Sequence, residues 1–270
     1  MKKILLPALL AALLPLAQAQ TPAQARIVTL SPDVTDVVVA LGATHQIVGR
    51  DQTATNPAVK NVPNIGIHRQ LTVEPIAAVR PTLAIGSWMA QPAGIYSHLN
   101  RVGIKAVNVA PDDSINAYPA SIRQIGQLIG KTREANTLAA RWQSGVSQLP
   151  ATGKRYLMSY DGRLVAGRNT AADELIRRAG GINAAANIDG IKPLNREAWI
   201  AAKPDVIIIA EHNSHLIGGV GQFAARPEVA GSPAAQTRNI HLWPANDFFR
   251  YGLDTPQVLR RLHNLGRARR

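Results

Sequence analysis

Leu71–Ile85 reads LTVEPIAAVRPTLAI, and Leu194–Ile208 reads LNREAWIAAKPDVII. Set in register without a gap, the two stretches share a leucine and a glutamate three residues on. Each continues as an apolar run at helical spacing, then a basic residue and a proline before an apolar strand. The unit is a helix followed by a strand, used twice, with Glu74 and Glu197 as equivalents. An internal repeat constrains architecture before any local assignment does. It predicts two similar α/β lobes.

Working outward, Arg26–Leu30 is a short β-rich run, and Ser31 or Asp33 can cap a helix over Val34–Leu41 that stops at Gly42. Gln46–Arg50 is the next strand. Asn56–Gly66, with Pro57 and Pro63, is a loop. Thr72 caps the first repeat helix, which ends before Pro81, and Thr82–Gly86 is a strand. Ile95–Arg101 is helical, and Lys105–Val109 is a strand. Alternating β and α segments imply largely parallel sheets covered by helices.

Ile115–Leu149 differs. Ile122, Ile125, Leu128, Ile129, Leu138, Ala139 and Trp142 keep helical spacing, which predicts one long helix bridging the lobes. Gly130 is the point where it would break. A stiff bridge argues against wide closure. The second lobe then runs through a strand at Arg155–Ser159, a helix at Thr170–Arg178 and the repeat helix at Asn195–Ala202. Strands at Val206–Ala210 and Ile240–Trp243 and a closing helix at Thr255–Leu265 follow. The expected organisation is therefore a leader over 1–19, a first lobe over 20–114, the bridge over 115–149 and a second lobe over 150–270.

The leader reads as a signal peptide. Lys2 and Lys3 precede the apolar run Ile4–Leu16, and Ala17-Gln18-Ala19 fits a cleavage site. The run is short of the ~20 residues that span a bilayer. The chain has no cysteine, which excludes disulfides, thiolate metal sites, cysteine nucleophiles and bacterial lipid attachment. A periplasmic, non-lipidated protein is the expectation. The formal charge of +13 falls to about +11 without Lys2 and Lys3, and the basic residues are scattered. Only Arg267, Arg269 and Arg270 cluster, as a solvated terminus does. No nucleic-acid-binding motif is present in the sequence.

Several segments carry a family resemblance. RIVTLSPDVTDVVVALGATHQIVGRD from Arg26, the two L-x-x-E units, the bridge, and VAGRNTAADELIRRAGGINAA from Val165 together resemble periplasmic binding proteins of vitamin B12, siderophore and haem importers. The haem-binding branch is most similar. GIHRQLTVE from Gly66, AGRNTAAD from Ala166 and KPLNRE from Lys192 match its G-Y-x-R-x-L-(S/T)-x-E, A-G-R-x-T-A-A-D and K-P-L-x-x-E segments. The resemblance runs from Arg26 to Gly266. It implies two lobes around a cleft, haem as transported ligand with no intrinsic cofactor, and docking onto the permease dimer of an ABC importer through Glu74 and Glu197. Physically, each glutamate sits in the first turn of its helix, where complementing the macrodipole is the ordinary alternative.

The chain departs from the pattern at one decisive position. The family's axial tyrosine is here Ile67, which cannot bind iron, and His68 follows. Imidazole is an ordinary axial ligand, so His68 can replace the tyrosine if the loop shifts by one residue. The alternatives are an exposed loop histidine, ligation from the second lobe, or another ligand altogether. His212 and His215 form H-x-x-H after Val206–Ala210, where α/β ligands bind. Solvated loop residues, a second axial ligand or a transition-metal site are the readings open for them. Arg69 and Arg168 can pair with carboxylates such as propionates. Trp88, Met89 and Tyr251 can wall a flat apolar ligand. Phe248 and Phe249 read as core. His98 and His241 read as structural.

A siderophore or corrinoid binder is the runner-up, kept alive by Ile67. A hydrolase is disfavoured. Ser87 lies in IGSWMA without the second glycine of a nucleophile elbow, and neither H-E-x-x-H nor a phosphate loop occurs.

Overall fold

The computed structural model describes residues 25–267. The leader over 1–19 lies outside the described residues, as do Arg269 and Arg270.

The first sheet is built from β1 (Ile27–Thr29), β2 (Ile47–Arg50), β3 (Leu83–Ser87) and β4 (Lys105–Ala110). Their order is β2-β1-β3-β4, all parallel. Helices α1 (Pro32–Ala40), α2 (Val73–Ala78) and α3 (Ile95–Arg101) connect them. Strand alternation sorts the side chains onto two faces. Ile27, Leu83 and Ile85 enter one core, whereas Val28 and Ala84 enter another with Ile76 and Leu99.

The bridge is a pair of helices rather than one. α4 (Tyr118–Leu128) and α5 (Thr132–Gly145) are separated at Gly130, whose φ of +71° takes the chain out of the helical region. The rings of Tyr118 and Trp142 lie 4.7 Å apart, although 24 residues of continuous helix would hold them about 36 Å apart. The pair is therefore folded back on itself. Gly126 permits the fold-back, since a Cβ there would meet the Ala135 Cβ at 2.2 Å. Helical spacing runs across the break because both helices bury the same kind of face.

The second sheet contains β5 (Arg155–Ser159), β6 (Leu164–Ala166), β7 (Ile182–Asn183), β8 (Ile191–Pro193), β9 (Val206–Ala210) and β10 (Ile240–Trp243). The order is β10-β9-β5-β6-β8, with β7 beside the edge of β5. It is mixed: β6 runs antiparallel to both β5 and β8. The four residues between β5 and β6 suit a hairpin and are far too few for a parallel crossover. Gly162 supplies the left-handed residue there, and the Asp161 carboxylate accepts from the backbone of Arg163 and Leu164. Helices α6 (Ala171–Arg178), α7 (Arg196–Ala202), α8 (Gly219–Ala224), α9 (Pro227–Ala230), α10 (Pro233–Gln236) and α11 (Thr255–Arg267) cover it.

The repeat units coincide as structure, α2-β3 against α7-β9. Asn195 caps α7 by accepting from the backbone of Ala198, whereas Thr72 takes the same extended backbone without a side-chain cap bond. One core passes through both lobes. It runs from Val34, Val38 and Ile85 through Ile122, Ile125, Ala139 and Trp142 to Tyr156, Met158 and Leu262. The lobes are also latched by Arg250, which lies 3.8 Å from Asp36 of α1.

Candidate functional site

Between the lobes lies a cleft of about 550 Å³. Thr53, Thr55, His68, Arg69 and Met89 line it from the first lobe. Tyr160, Ile191, His212, Asn246 and Phe249 are among the residues facing them from the second. The placement follows from topology. Thr53 and His68 lie beyond β2, Met89 beyond β3, Tyr160 beyond β5, His212 beyond β9, and Phe249 beyond β10. Carboxyl ends of parallel strands are where open α/β sheets hold ligands. Its size is within the range of small-molecule sites.

The first-lobe wall is built around the segment Gly66–Gln70. Gly66 takes a φ of 101°, and a single 3-10 turn follows at His68–Gln70. That turn puts His68 on the cleft wall in a buried position, and leaves Ile67 half-buried outside the lining. An exposed loop histidine is thus excluded. The loop is fixed by backbone bonds from Gln91 to the His68 carbonyl and from Leu71 to the Gln91 carbonyl.

Behind His68 stands Asp51, fully buried at the end of β2. One carboxylate oxygen accepts from the His68 backbone N–H. The other accepts from the backbone of Thr53 at 2.8 Å and from the Thr53 hydroxyl. The imidazole Nδ1 lies 3.1 Å from Thr53 Oγ1 and 3.4 Å from Asp51 Oδ1. Burial pushes the Asp51 carboxyl up, but hydrogen bonds from His68 and Thr53 outweigh it. The net effect holds the group below the usual carboxylate range. Among the described residues no group hydrogen-bonds Nε2 of His68.

The facing wall is aromatic. The Tyr160 ring lies 5.1 Å from His212 and 5.5 Å from Phe249, both edge-on, and Phe249 lies 4.5 Å from Phe248. Such pairs form a stiff apolar surface with a polar edge. Tyr160 and Phe249 were not expected at the site. Tyr160 has the same signal as His212, a position just beyond a buried strand. Phe248 is fully buried, as expected, whereas Phe249 reaches the cleft.

The other candidates divide. His68, Arg69, Met89 and His212 share the cleft. Trp88 and Tyr251 meet instead in a crevice of about 10 Å³ with Asp33 and Tyr118. Arg168 is exposed and 3.9 Å from Asp189, off the cleft lining. His215 is exposed and also outside it. Among the described residues no group of three or more His, Asp or Glu is placed to hold a metal ion. Glu74 and Glu197 are both exposed on the first turns of α2 and α7. Glu74's own backbone N–H and the Thr72 hydroxyl hold its carboxyl below the usual range.

A ligand cleft walled by strand ends from two α/β lobes defines a two-lobed binding protein. Residues 27–246 match the family described as periplasmic binding protein, and the chain belongs to that family. Among solved structures it is similar to the periplasmic heme-binding protein RhuT from Roseiflexus sp. RS-1. The two are 32% identical with a TM-score of 0.80, covering 90% of this chain and 99% of that one. It is similar also to the periplasmic heme-binding protein BhuT in complex with two hemes, at 28% identity and a TM-score of 0.82, covering 90% and 98%. A curated relative, the cobalamin-binding protein of Halobacterium salinarum (strain ATCC 29341 / DSM 671 / R1), is 25% identical over 78% of this chain and 60% of its own length. The first curated relatives are matched over 63% and 60% of their length. No helix among the described residues is long and apolar enough to cross a membrane.

Proposed function

We propose that this protein captures haem in the interlobe cleft, in the periplasm, and delivers it to the permease of an ABC importer. One observation carries the reading. His68 is buried in the cleft wall with no partner at Nε2 among the described residues, opposite an aromatic surface made by Tyr160 and Phe249. A porphyrin needs an axial donor and flat apolar walls, and both occur here in one slot. Arg69 at the rim supplies a cation for a propionate. His212, on the opposite wall, is the candidate for a second axial bond. Two structural relatives, both periplasmic heme-binding proteins, support the reading. Glu74 and Glu197, exposed at equivalent points of the repeat, are the proposed contacts with a two-fold-symmetric permease.

Hemin titration of the mature protein tests this. A saturable, sharpened Soret band is expected, and His68→Ala should abolish its axial signature. A second reading, corrinoid capture, is favoured by the cobalamin-binding relative. Hemin absorbance indistinguishable from that with an inert protein, together with saturable cyanocobalamin binding, would put that reading first.

A further inference from the structure

We infer that Asp51 and Thr53 together fix the His68 imidazole as an Nε2 donor of anionic character, making them positioning residues for the iron ligand. The inference rests on the proposed role of His68 in haem capture. The argument is one of donors and acceptors. An ionised carboxylate can only accept hydrogen bonds, and a hydroxyl has a single proton to give. The Thr53 hydroxyl is directed at Asp51 Oδ1, so toward His68 its oxygen offers only a lone pair. Asp51 Oδ1, the other neighbour of Nδ1, likewise offers only lone pairs. Nδ1 must therefore carry the proton, and in the neutral ring the lone pair is at Nε2.

The surroundings reinforce the assignment. Asp51 is fully buried, so its charge acts on the ring with little screening by water. The same carboxylate also grips the His68 backbone N–H, so ring and backbone are oriented by one group. A histidine whose remote nitrogen donates to a carboxylate is a stronger and better-aimed metal ligand. Asp51 is 17 residues upstream, and nothing in the local motif announces it.

The test uses the hemin-loaded protein and two variants. Asp51→Asn removes the charge at constant size. The expected results are a loss of hemin affinity of about 10–100-fold, a downward shift of the iron–histidine stretching band in the ferrous form, and a rise in midpoint potential. A purely structural Asp51 would cost affinity but leave band and potential where they are in the parent protein, which overturns the inference. If Asp51→Asn does not fold, Thr53→Val carries the test by removing the 3.1 Å partner of Nδ1. The band must then move, down where the lost Thr53 contact dominates and up where Asp51 Oδ1, freed of the hydroxyl, holds the Nδ1 proton more strongly, and an unchanged band overturns the inference. His68→Ala separates the two levels. If it keeps the parent axial spectrum, the role of His68 fails, and Asp51 and Thr53 lose theirs with it. If it loses that spectrum while both other variants keep the parent band, only the present inference fails.

Discussion

Arg80 and Lys203 turn the chain through the same left-handed conformation, with φ of 48° and 41°, at the same point of the two repeat units. Each is followed by a proline and then by a fully buried strand. The repeat is therefore a repeat of backbone path, including its disfavoured residue. Left-handed geometry costs a non-glycine residue about 1–2 kcal/mol. Glycine would escape that cost but loses more chain entropy on folding, about 0.5–1 kcal/mol. Lys203→Gly should then stabilise the protein by up to about 1 kcal/mol, read as a higher urea midpoint. A lower midpoint would show that the lysine side chain contributes more than its backbone costs.

Gly126 sits where the bridging helices touch. Gly126→Ala places a methyl against Ala135 and close to the Lys131 carbonyl, 2.9 Å from the new Cβ. Overpacking of this kind costs about 1–3 kcal/mol. Because α4 and α5 carry the shared core, the variant should unfold at lower urea with both lobes still melting together. Separate transitions for tryptophan fluorescence and far-UV dichroism would contradict the shared-core account.

Trp142 donates its indole N–H to the Gly252 carbonyl at 2.8 Å and packs on Tyr118. Trp142→Phe keeps most of the ring but leaves a buried carbonyl unpaired, a loss of about 1–3 kcal/mol. Equilibrium unfolding should show it, with hemin affinity retained because no part of the cleft lining changes.

Acidification should weaken the fold partly through His241. Burial, and after it the nearby Arg261, lowers its pKa below the usual 6.5. The unfolded chain therefore takes up this proton at higher pH than the folded one does. Stability is full above 6.5 and declines as pH falls from there toward the folded value. His241→Gln should flatten the fall in melting temperature between pH 7 and pH 5. An unaltered slope would assign the acid sensitivity to other groups.

Glu74→Lys and Glu197→Lys test the proposed docking. Both residues are exposed and outside the cleft lining, so hemin titrations should match the parent protein. Delivery to a reconstituted permease should fall, since like charges across a contact cost several kcal/mol. Undiminished delivery by the double variant would remove both residues from the interface.

What was legible in the sequence followed from periodicity. The buried strands at Val206–Ala210 and Leu83–Ser87, the repeat, and the glycine-bounded loop before His68 all have local signatures. The break in the bridge was weaker, because apolar spacing continues through Gly130 and only the close approach of Gly126 to Ala135 reveals the fold-back. The antiparallel direction of β6 leaves no trace in periodicity, and only the four-residue connection after β5 implies it. Half the cleft was illegible for another reason. His68, Tyr160 and Phe249 are separated by 89 to 181 residues along the chain and meet only when strand ends from two sheets converge. Trp88 and Tyr251 do find one another, but in a crevice beside the bridge.

The core that crosses from Val38 through Trp142 to Leu262 bears finally on how such a receptor lets go. Parting the lobes would strip side chains from a hydrocarbon interior common to both. Thermal motion alone will rarely do that, so the cleft behaves as a slot of preset width, and capture needs little rearrangement. Emptying it is another matter. The work must come from outside, and under the proposed docking a membrane partner holding each lobe by its own glutamate would be placed to act as the lever.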